Sequence, residues 1–169
     1  LHLDALHFAS ALPDFLPSMM AVKRSVIAVI DSGVDFTHDD LALNRWTNTR
    51  EVAANGIDDD ADGYVDDVNG FGFASGTNVV GPEGELPEAN HGTHVAGLAA
   101  ARIDNGAGGA GLNGVAKIMS LNVFGASNST TSAVVENAIR YAADHGADVI
   151  NLSLGGREFS RTMRDALVY

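Results

Sequence analysis

Three short apolar runs limit what this chain can fold into. Val26-Ile27-Ala28-Val29-Ile30 is a continuous, largely β-branched stretch, the mark of a strand buried on both faces. Lys117–Phe124 and Asp148–Ser153 repeat the signal. Between them lie helical patterns. His91 to Arg102 is rich in Ala and Val. Thr131 to His145 places Val134, Val135, Ala138, Ile139 and Ala142 on one face, with Thr131 or Ser132 to cap it and Gly146 to stop it. Strand, helix, strand, helix, strand predicts an α/β fold in three layers: a mainly parallel sheet with helices on both faces. Functional groups in such sheets gather outside the strands' C-terminal ends, where Asp31 and Ser153 fall.

The remaining chain is less regular. Residues 1–21 read as an irregular lead-in, and 22–169 as one α/β domain, partial at its C-terminal end. Residues 44–90 form a polar, acidic, Gly-rich insertion, and loops of that length are usually functional. Gly70-Phe71-Gly72-Phe73-Ala74-Ser75-Gly76 faintly suggests a dinucleotide loop, but no predicted strand precedes it. Near the end, Ser160 has the form of an N-cap and Met163, Ala166 and Leu167 start an apolar face that runs to Tyr169 without a stop signal. The expectation is that the sheet, and the natural protein, continue past that point. The first residue is Leu rather than Met, and no signal peptide is legible, so a processed or partial N-terminus is expected.

Composition removes several classes. Among 169 residues there are 22 acids against 10 bases, a formal charge of −12, which disfavours binding to phosphate backbones. With no cysteine, disulfides, thiol catalysis and Cys-ligated zinc drop out. No apolar run reaches the ~18 residues of a membrane span.

The acid is concentrated. Six aspartates crowd residues 58–67, and without a cation they would repel one another strongly. Asp58, Asp60, Asp62 and Gly63 match positions one, three, five and six of a calcium loop; the Tyr64 carbonyl would be the seventh and Asp66 the ninth. Asn69 stands where a twelfth-position Glu is usual, and no flanking helices are evident, so the chain is not an EF-hand protein. Ca²⁺, held by Asp58, Asp60, Asp62, Tyr64 and Asp66, is the expected cofactor.

His91 and His94 lie three apart near a helix start. Zinc helices prefer a spacing of four with a Glu between, and Gly92-Thr93 offers no base. Taken singly, Asp31 and these histidines are as well explained by structural roles. Their joint order changes that. Asp31-Ser32-Gly33 after an apolar strand, Asn90-His91-Gly92-Thr93-His94-Val95-Ala96-Gly97 opening a helix, and Asn151-Leu152-Ser153-Leu154-Gly155-Gly156 after a third strand resemble the subtilase family of serine proteases over roughly residues 22–169.

The resemblance implies a serine endopeptidase acting on polypeptides, with a possible propeptide partner and an extracellular location. It makes Asp31 the triad aspartate and His91 the triad histidine, with His94 a second, non-catalytic histidine. Ser153, Leu154 and Gly155 correspond to the segment that pairs with substrate backbone and walls the first specificity pocket, and Asn128 to the opposite edge. Asp40 resembles a further calcium-binding position, facing a loop near Asn105. Asp-rich insertions like that at 58–67 occur in some subtilases as calcium sites. Two family elements are not found in these residues: the Gly-Thr-Ser nucleophile motif and the oxyanion-hole Asn. Ser153 is no substitute, since it lacks the first glycine of a Gly-x-Ser-x-Gly elbow. Hence the alternatives of a catalytically inactive peptide-binding chain or a calcium-binding module.

Overall fold

A computed structural model describes residues 24–85, 87–127, 129–156 and 160–169. The lead-in over 1–21 and the candidate residue Asn128 lie outside the described residues. The regular elements are β1 (Val26–Asp31), β2 (Gly70–Gly72), α1 (His91–Ala100), β3 (Lys117–Asn122), α2 (Ser132–Asp144), β4 (Val149–Leu152) and α3 (Arg161–Leu167). Short 3-10 turns at Ala42–Asn44 and Pro87–Asn90 join the list.

Among the described residues, four parallel strands form one sheet in the order β2-β3-β1-β4. The expected three layers are present. Alternate residues of the central strands point to opposite faces. Ala28, Ile30, Met119 and Leu121 meet Val135, Ala138, Ile139 and Ala142 of α2 and Ala166 of α3. Val29 and Ile118 meet Ala96 and Ala100 of α1, together with Val34 and Leu41. Small alanines on α1 let it lie close to the sheet. The polar insertion at 44–90 contains a strand that its composition does not predict: Gly70–Gly72 pairs with Ser120–Asn122. Three residues, two of them Gly, carry too little β-branched character to be visible in a sequence. A Cβ at Gly70 would lie 2.0 Å from the Ser120 carbonyl oxygen, so close backbone contact explains the glycine.

The register aligns Asp31 with Asn122. Two polar, fully buried side chains therefore stand together at the C-terminal edge of the sheet, where the connecting loops meet.

Candidate active site

Asp31 ends β1 and is 1% exposed. The Ser32 amide donates to its Oδ1 at 2.7 Å. His91 opens α1, sixty residues later. Its Nδ1 lies 2.9 Å from Oδ1 and 3.0 Å from Oδ2 of Asp31. A carboxylate only accepts, so Nδ1 carries the hydrogen and Nε2 is left as the basic atom. The histidine side chain is 48% exposed, so a base held by a buried carboxylate reaches open space.

Backbone approach makes this juxtaposition possible. Ser32 Oγ donates to the Ala89 carbonyl at 2.8 Å and accepts from the Gly92 amide at 3.0 Å. The Asp35 amide donates to Thr93 Oγ1 at 2.9 Å. A Cβ at position 92 would stand 2.5 Å from the Gly33 carbonyl oxygen and 3.1 Å from the Asp31 Cβ. Any side chain there would push the helix start off the strand end, and His91 with it.

The pair borders a cleft of about 330 Å³. Phe124, Gly125 and Ser127 line another part of it, and Ser153, Leu154 and Gly155 another. The structure thus brings Asp31, His91 and the three expected substrate-segment residues around one opening. His94 is exposed on α1 and, like His91, belongs to no group of three or more potential metal ligands among the described residues.

Sequence reasoning missed Asn122. Its Oδ1 accepts from the amides of Phe124 and Gly125 at 3.1 and 2.9 Å, and its Nδ2 donates to the Gly81 carbonyl at 3.1 Å and Glu83 Oε1 at 3.2 Å. One buried amide thereby fixes two of the loops that shape the cleft. The available signal was a polar residue ending an apolar strand, as with Asp31.

The acidic stretch packs beside α2 and divides into two groups of convergent ligand atoms, Glu51/Asp58/Asp60 and Asp60/Asp62/His145. Asp58 accepts from the Asp62 and Gly63 amides at 3.1 and 2.8 Å, and Asp62 Oδ1 from the Tyr64 amide at 2.9 Å. This folds the loop so that alternate aspartates converge. Asp60 Oδ2 receives Arg50 at 3.0 Å and Asn48 at 3.1 Å. Glu51 Oε2 and Asp60 Oδ1 are buried without a hydrogen-bond partner. Orphaned buried carboxylate oxygens are costly, and they fit a hard cation. Burial raises the Asp62 carboxyl above its ordinary range; the Tyr64 amide opposes that rise, while Asp60 adds to it. Asp66 faces elsewhere, accepting from the Asn55 and Gly56 amides at 3.0 Å each. The Tyr64 ring packs against Phe71, Phe73 and Tyr141. Glu51 was not foreseen, because it lies outside the spaced motif. Asp40, buried, accepts from Asn105 Nδ2 at 2.7 Å and the Gly109 amide at 2.9 Å, so the loop near Asn105 does reach it.

Residues 23–167 match the subtilase family, peptidase S8. The chain is 38% identical over 143 residues to a thermophilic serine proteinase of Bacillus sp. strain AK1, covering 85% of this chain and 29% of that protein. It is 36% identical over 143 residues to thermitase of Thermoactinomyces vulgaris, covering 85% of this chain and 42% of thermitase. Among solved structures it resembles fervidolysin from Fervidobacterium pennivorans, described as a keratinolytic enzyme related to subtilisin, with a TM-score of 0.57 and 32% identity over 85% of this chain and 19% of fervidolysin. The 169 residues therefore span less than half the length of these relatives. With the match running through nearly all of its described sheet and helices, this chain belongs to the subtilase family.

Proposed function

We propose that the whole protein is a serine endopeptidase and that these residues supply its aspartate and histidine, its substrate-backbone segment and a calcium-binding loop. The observation that carries the reading is the Asp31–His91 pair, with Nδ1 held by both carboxylate oxygens at the wall of the cleft. In the proposed reaction His91 Nε2 takes the proton of a serine hydroxyl supplied from elsewhere in the protein. The serine oxygen bonds to the scissile carbonyl carbon, and His91 then returns the proton to the leaving amine. Asp31 keeps the imidazole in the tautomer needed and stabilises the imidazolium. Water then releases the acyl group by the same proton path. Ser153, Leu154 and Gly155 would receive the substrate as an extended strand, paired through its main chain.

Glu51, Asp58 and Asp60 fit Ca²⁺, with Asp62 and the Tyr64 carbonyl following in the loop, while Asp66 accepts the Asn55 and Gly56 amides instead; bound calcium would neutralise the cluster and rigidify it. An extracellular location, where free calcium is high, suits such a site. The test is His91→Ala in the whole protein, assayed on casein. Near-total loss of hydrolysis with an unchanged circular dichroism spectrum is expected. Activity equal to that of the unmodified protein would overturn the peptidase assignment and favour a calcium-binding module.

A further inference from the structure

One buried histidine has no part in the proposed peptide hydrolysis. His145 caps α2, and its side chain is 4% exposed. Its Nδ1 lies 2.9 Å from the Tyr141 carbonyl oxygen. That oxygen only accepts, so Nδ1 carries a hydrogen and the neutral ring presents a lone pair at Nε2. The ring is clamped: Tyr141 stacks on it at 3.9 Å and 16°, and Trp46 meets it edge-on at 6.0 Å.

Nε2 approaches Asp62 Oδ2 to 2.9 Å. Both atoms are buried, and although they form an ion pair if the ring is protonated, neither makes a hydrogen bond. Asp67 Oδ2, 3.9 Å away, already accepts the Tyr141 hydroxyl. Asp60 brings a ligand atom to within 4.8 Å of the other two, and its buried Oδ1 has no partner. Two buried lone pairs facing one another are costly unless a cation lies between them. Two ligand atoms that each sit ~2.1 Å from a metal, at right angles, are ~3.0 Å apart, close to the observed separation. A metal-bound histidine commonly donates its other ring N–H to a backbone carbonyl, as His145 does.

We propose that Asp62, His145 and Asp60 bind a divalent first-row transition cation, at a position distinct from the all-oxygen group of Glu51, Asp58 and Asp60 and sharing Asp60 with it. Imidazole nitrogen suits such ions and not calcium, which takes oxygen. The ion ties the acidic loop to the end of α2. The site stands on the His145 geometry and does not depend on peptidase activity.

The experiment uses the purified whole protein, stripped of metal, saturated with calcium, then titrated with Co²⁺ and followed by visible absorption. One equivalent of Co²⁺ is expected to give ligand-field bands. Binding should weaken about tenfold or more in His145→Gln and persist in His91→Ala. Bands unchanged in His145→Gln, or no binding beyond calcium, would overturn the site and leave an ion pair only. Should His145→Gln fold poorly by circular dichroism, pulsed electron paramagnetic resonance of Mn²⁺ in the His91→Ala protein decides: histidine nitrogen coupling supports the site, and its absence overturns it. Asp58→Asn separates the two readings, since it should reduce calcium binding while Co²⁺ still binds.

Discussion

The hydroxyl of Ser32 ties the end of β1 to the start of α1 by accepting the Gly92 amide at 3.0 Å while donating to the Ala89 carbonyl at 2.8 Å. Ser32 is buried and next in sequence to Asp31, so the same contact that closes the helix start also places His91 over the carboxylate. Ser32→Ala leaves one amide and one carbonyl without this partner. Destabilisation of about 1–3 kcal/mol is expected, read by denaturant unfolding. On the proposed peptidase reading, activity should fall mainly in kcat rather than KM, since the substrate segment is untouched. Ser32→Thr, which keeps the hydroxyl, should restore most of it; a threonine variant no better than alanine would argue against this role.

Asp31→Asn preserves shape but offers an amide where Nδ1–H needs an acceptor. The imidazole is then free to take the other tautomer. If the triad reading holds, kcat should drop about ten-thousand-fold with the fold retained. A loss of less than tenfold would show that Asp31 is structural.

Chelation provides a separate check. A ligand present at about a thousand times its dissociation constant stabilises the native state by about 4 kcal/mol. EDTA should therefore lower the Tm of the whole protein by several degrees, and added Ca²⁺ should restore it. Glu51→Gln, which removes one charge from the group around the orphaned Glu51 and Asp60 oxygens, should shrink that shift. A Tm indifferent to EDTA would remove calcium from the account.

Asp40 sets a pH dependence. Burial alone would raise its carboxyl, but the Asn105 amide and the Gly109 N–H, helped by His38, outweigh that and hold it below the ordinary value of 3.8. A carboxyl depressed in the folded state contributes stability at pH above its unfolded value. That contribution is lost as pH falls through the folded value. The stability gap between the unmodified protein and Asp40→Asn should be full at about pH 6 and narrow towards about pH 3. A gap that widens in acid would contradict the hydrogen-bond assignment.

What could be read from the chain follows the range over which each signal acts. Strands β1, β3 and β4, the α2 cap at Thr131 and the Ser160 cap of α3, each cap accepting an amide three residues on, rest on neighbours in sequence, although β4 is only partly buried, with Val149 53% exposed, and not buried on both faces as its apolar run predicts. Propensity, periodicity and capping are local, so they survive without a fold. The motifs around Asp31, His91 and Ser153 are legible for the same reason, and strand-end position predicts one shared edge for Asp31 and Ser153. β2 was not legible, because two glycines and a phenylalanine owe their strand form to contact with Ser120–Asn122. Asn122, Glu51 and His145 were hidden for a related reason: each acts on residues far away in the chain, and no spacing rule connects them. Local sequence signals were enough for the parallel α/β layering and the acidic loop, and the family resemblance for pairing an aspartate with a histidine. Tertiary structure alone decided which oxygens are left unpartnered in that loop, which amide shapes the cleft, and that a histidine from α2 faces Asp62, since burial and direction exist only after distant segments have packed.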